Sequence, residues 1–155
     1  TAIENMFRKA GAFNQDLSKW NVGKVTHMDW MFHGASAFNQ DLSAWTVSQV
    51  TTMSGMFYQA SVFDQDLSKW DVSRTESMHG MFTNAESFNG DISKWNISSV
   101  QYMSAMFLGA QAFRGDISKW NVSSVVNMKG TFASSNFNGD ISQWDTSSVT
   151  TMQAM

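Results

Sequence analysis

Tryptophan recurs at Trp20, Trp45, Trp70, Trp95 and Trp120, 25 residues apart, and once more at Trp144, one residue early. Each stands in the same phrase, F-N-x-D-[L/I]-S-x-W-x-V, which runs on into V-x-x-M-x-x-M-F-x-x-A. A chain that repeats at this period is a stack of similar units rather than one irregular globule. A single unit cannot bury its apolar face, and neighbouring units complete the core. Chemistry therefore has to be read by column.

The apolar columns are nearly complete. Phe13, Phe38, Phe63, Phe88, Phe113 and Phe137 form one, and Leu17, Leu42, Leu67, Ile92, Ile117 and Ile141 another. Methionine fills two more, beginning at Met6 and Met28, and Phe7, Phe32, Phe57, Phe82, Phe107 and Phe132 follow directly. At this spacing Met is core filler, since its flexible thioether adapts to irregular gaps. The residue lost from the last spacing lies between Phe132 and Phe137, where a turn is expected.

Two periodicities alternate within each unit. In S-x-W-x-V the Trp and Val lie two apart and share one face of a strand, so Lys19 and Asn21 point the other way. In V-x-x-M-x-x-M-F-x-x-A, apolar residues recur every three or four positions, as on one helical stripe. Ser98, Ser123 and Ser147 stand where helix N-caps belong. The fold class expected is an α/β repeat solenoid of about six 25-residue coils, each with a short parallel strand and a short helical segment. Strand pairing at ~4.8 Å makes a rod about 30 Å long, with the Trp column an internal ladder.

With no Pro, no Cys and no break in composition, residues 1–155 read as one domain. Both ends fall inside a repeat, as in a fragment of a longer protein. A net charge of -3 gives no footprint for nucleic acid, and no run approaches the ~18 apolar residues of a spanning helix. The absence of Cys removes disulfides, thiolate metal sites and a Cys nucleophile.

The sharpest polar feature is a ladder of Asp16, Asp41, Asp66, Asp91, Asp116 and Asp140. Carboxylates ~5 Å apart repel by ~1 kcal/mol or more, so something compensates. Asx-turns at the corners, the Lys three residues later, and calcium bridging coils through Asn14, Asp16 and their equivalents are the options. The outward face beside each Trp is the candidate binding surface, centred on Lys69, Lys94, Lys119, Asp71, Asn96 and Asn121. Asn96-Ile97-Ser98 and Asn121-Val122-Ser123 are glycosylation sequons, which a tight sheet would make fortuitous. His27, His33 and His79 occupy three different columns, and no nucleophile elbow, phosphate loop or zinc-protease motif is present, so no enzyme is expected.

Phe38, Asn39, Asp41, Leu42, Ser43, Trp45, Val47, Val50, Met53, Met56, Phe57 and Ala60 carry a resemblance across the whole chain. The pattern resembles BspA-like leucine-rich repeats, in the 25–26-residue variant of mycoplasma-type and Listeria-type surface lipoproteins. Thr75, Thr131, Thr146 and Arg114 depart from it locally. The resemblance implies a right-handed leucine-rich-repeat stack, an extracellular or cell-surface setting, and a non-catalytic module that recognises or adheres to a protein or glycan through the strand face. The alternative is a structural spacer, sheath or filament component, grown by end-to-end self-association at unpaired strand edges.

Overall fold

The computed structural model describes all of Thr1–Met155. It contains no α-helix, and its only sheet pairing is a line of isolated parallel bridges. These join Ala2 to His27, then Thr52, Ser77, Tyr102, Asn127 and Thr151, so equivalent residues of successive coils lie side by side. None of the 69 backbone hydrogen bonds belongs to a helix or a strand. The expected α/β leucine-rich-repeat solenoid is thereby overturned: the coil is made of turns.

Both expected elements fail for a local reason. The S-x-W-x-V segment is closed on itself: Trp45 N–H donates to Leu42 C=O at 3.0 Å, and Val50 N–H to Val47 C=O at 2.9 Å. Asp41 Oδ1 takes the N–H of Ser43 at 2.7 Å. These bonds use donors that a strand ladder needs. Coil-to-coil bonding here is carried instead by the indole. Trp45 Nε1 donates to Leu17 C=O of the preceding coil at 3.0 Å, and Trp70, Trp95, Trp120 and Trp144 repeat the bond to Leu42, Leu67, Ile92 and Ile117.

The supposed helical stripe is a pair of tandem β-turns. Met31 N–H returns to Met28 C=O and Ala35 N–H to Phe32 C=O. The third residue of each has positive φ, Trp30 at 58° and Gly34 at 69°, as the type II pattern requires. Meanwhile Met28, Trp30, Phe32 and Gly34 send their N–H groups across to the carbonyls of Thr52, Ser54, Met56 and Tyr58. A helix would have kept those donors within the segment. A stretch this short is marginal as an isolated helix, and coil-to-coil bonding wins.

Inward side chains form one cluster of 40 buried residues. Phe57 stacks on Phe63 within its coil at 4.0 Å and on Phe32 and Phe82 of its neighbours at 5.6 Å. The indoles of Trp70, Trp95 and Trp120 stack at 6.5 and 6.4 Å. Buried Thr75 and Thr131 keep their hydroxyls satisfied on the carbonyls of Val50 and Met103. At the shortened spacing the chain turns after Phe132, with Ser135 N–H returning to its carbonyl and Ser135 Oγ taking Phe137 N–H.

Candidate functional site

Lys69, Lys94, Lys119, Asp71, Asn96 and Asn121 are all exposed. The indoles of Trp45, Trp70, Trp95 and Trp120 point inward between exposed neighbours, whereas Trp20 is exposed, and the alternation belongs to turns and not to a strand. Asp71, Asn96 and Asn121 each use Oδ1 to accept the N–H two residues on, at 3.1 Å. Each carboxylate of the ladder does the same: Asp16, Asp41, Asp66, Asp91, Asp116 and Asp140 accept from the serine two residues later at 2.7–3.0 Å. That backbone N–H, with the serine hydroxyl, holds Asp16, Asp41, Asp91, Asp116 and Asp140 below the ordinary carboxylate range. Asn14, offered with Asp16 as a calcium ligand, accepts at Oδ1 from Asn39 N–H and Gln40 Nε2 of the next coil. No group of three or more His, Asp or Glu gathers where it could hold a metal ion.

The concave feature of the molecule lies elsewhere, over the tandem turns. It is an open groove of about 430 Å³ lined by His79, Ser104, Ala105, Leu108, Asn127, Lys129, Gly130, Ala133 and Ala154. His79 Nδ1 and Ser104 Oγ lie 2.7 Å apart on its wall. Lys129 is tied through its N–H to Asn127 Oδ1 at 3.0 Å. Leu108, Ala105 and Ala133 supply the apolar part.

The N-terminal coils show how the groove arises. There the same face is filled. The Trp30 indole lies against His33 at 5.4 Å and Tyr58 at 5.7 Å, and His33 meets Tyr58 edge-on at 4.9 Å. Gly55 is the floor beneath it: a Cβ there would come within 2.2 Å of the indole. Moving three coils along replaces Trp30 by Ala105, Gly55 by Gly130, His33 by Leu108 and Tyr58 by Ala133. The backbone is unchanged, with φ of 58° at Trp30 and 55° at Ala105, and 60° and 64° at the two glycines. The groove is the seat of the indole with the indole left out.

His33 sits in the filled half with Nδ1 buried and unpartnered. Burial, then the charges of Arg8 and Lys9, lower its pKa, so the neutral ring is favoured between its aromatic neighbours. Sequence reasoning separated the three histidines by column and passed over the groove. The signal was the loss of bulk from Trp30 to Ala105 and from Tyr58 to Ala133 along otherwise faithful repeats.

Comparison with protein families decides the membership. Residues 1–95 and 77–155 each match the model described as Mycoplasma protein of unknown function, DUF285. The chain belongs to this family. That match replaces the resemblance to BspA-like leucine-rich repeats. With it go the recognition or adhesion module on a strand face and its spacer or filament alternative, since both were built on a strand–helix repeat that the coils do not contain. No curated protein matches, and no solved structure matches.

Proposed function

We propose that this DUF285 chain is a non-catalytic binding protein that seats an aromatic side chain of a protein partner in the turn-face groove. The observation that carries the reading is internal. Trp30 over Gly55 displays an indole resting on this backbone, and Ala105 over Gly130 presents the same backbone with the space empty. The place for a ring above Gly130 is lined by Leu108, Ala105 and Ala133. Buried aromatic anchors of this kind dominate protein interfaces. Lys129 and the His79–Ser104 pair, which also line the groove, fit an acidic or hydrogen-bonding group beside the ring.

Binding rather than catalysis is favoured by the surroundings of His79. Its Nδ1 meets Ser104, but no carboxylate bonds its other nitrogen, and a serine–histidine pair needs that third group to fix the imidazole. The net charge of -3 disfavours a nucleic-acid partner. No helix is long and apolar enough to cross a membrane.

The test is titration with short acidic peptides carrying one Trp, followed by amide chemical shifts. Shifts are expected at Ala105, Leu108 and Gly130. Ala105→Trp, built at the φ that Trp30 already adopts, should plug the groove with no loss of thermal stability and weaken binding at least tenfold. Wild-type affinity in that folded variant would refute the reading.

A further inference from the structure

The two sequons reach the surface through their asparagines, while Ile97 and Val122 between asparagine and serine are buried. Asn96 and Asn121 are exposed, each at the start of a turn rather than within a sheet. Asn96 Oδ1 accepts the N–H of Ser98 at 3.1 Å and its hydroxyl at 2.7 Å, and Asn121 Oδ1 accepts from Ser123 at the same distances. No protein group bonds either Nδ2. Two donors converge on the amide oxygen, where charge develops when Nδ2 loses a proton, so they favour the nucleophilic form of the amide.

We propose that Asn96 and Asn121 are alternative acceptor sites for an N-linked glycan in the folded protein. The donor class is an oligosaccharide on a polyprenyl diphosphate. The Nδ2–C1 bond forms and the bond from C1 to the diphosphate oxygen breaks. The diphosphate leaves with the electron pair, and the amide proton passes to a base of the transferase. The two asparagines are one coil apart, ~4.8 Å at the spacing of paired backbones, so the first glycan covers the second site. One glycan per chain follows.

The same column carries its own controls. Asn21 is exposed and makes the same turn, its Oδ1 accepting Gly23 N–H at 3.2 Å, but Gly23 supplies no hydroxyl. Asp71 has its serine, Ser73, but offers no amide nitrogen. A Cβ on Gly23 would meet nothing nearer than Asn21 Oδ1 at 3.4 Å, so a serine fits there.

The experiment presents the folded 155-residue chain to oligosaccharyltransferase-bearing microsomal membranes, with lipid-linked oligosaccharide as donor and an acceptor peptide as internal standard. Peptide mapping reads the sites. The expected result is one glycan per chain, divided between Asn96 and Asn121, with Asn21 unmodified. Ser98→Ala should move all of it to Asn121, Ser123→Ala to Asn96, and the double variant should lose it. Gly23→Ser should raise the count to two, because Asn21 is three coils from Asn96. Failure of the folded chain while the peptide is glycosylated, or transfer only after unfolding in urea, would overturn the proposal. Two glycans on one wild-type chain would overturn alternative occupancy.

Discussion

Gly55 and Gly130 hold the same place in their coils, with φ of 60° and 64°, yet a methyl group would meet very different surroundings at each. At Gly130 its nearest contact is Ala133 Cβ at 3.9 Å, and at Gly55 it runs into the Trp30 ring. Gly130→Ala should therefore cost only the left-handed penalty of about 1–2 kcal/mol. Gly55→Ala should cost roughly 1–3 kcal/mol more, because the indole must leave its seat. Urea denaturation of the two variants measures the gap. Titration is also a residue-scale matter. Folded-state carboxyl groups held below 3.8 by their serine donors stabilise the fold fully above that pH and lose that contribution as pH falls through the lowered values. The carboxylates' share of the urea midpoint should hold down to about pH 4 and then drop. Replacing Asp41, Asp91 and Asp116 by Asn, which keeps the accepting oxygen, should flatten the drop. His33 adds a second limb. With its pKa lowered from 6.5, the unfolded chain takes up the proton first, so stability declines as pH falls below 6.5.

At the scale of elements, one inward residue every three or four positions fits an α-helix and a run of tandem turns equally well. Met28, Met31, Phe32 and Ala35 could not separate the two. Left-handed residues do separate them, but they are hard to see. Glycine fills one left-handed column only at Gly55, Gly80 and Gly130, while Asn5, Trp30, Ala105 and Ala154 take its other places. The alternation of S-x-W-x-V likewise fits a strand and a run of Asx-turns alike. The inward assignment of Trp, Phe and Met did not depend on the element and was legible from the columns alone. The groove was not, because columns record what recurs, and the groove is bulk that ceases to recur. The indole bond is the element-scale test. Trp95→Phe removes one of the two donors on the Leu67 carbonyl, which keeps the Trp70 N–H, and should cost about 0.5–1.5 kcal/mol beyond the lost ring area. Trp20, 39 % exposed and making no such bond, should tolerate the same change with a far smaller loss of urea midpoint.

For the whole molecule, the core, the left-handed positions and the groove all follow from one arrangement: backbone donors that cross from coil to coil where a helix would have turned them inward. Transferring those bonds to a helix would turn the Ala105–Ala133 face into a different surface and erase the seat that Trp30 occupies. Through-hydrogen-bond couplings between amide nitrogen and carbonyl carbon in the isotope-labelled protein report each pairing individually. The arrangement predicts couplings from Met78, Gly80, Phe82 and Asn84 to the carbonyls of Tyr102, Ser104, Met106 and Leu108. Coupling of Phe82 to the Met78 carbonyl, four residues back along its own chain, would contradict it.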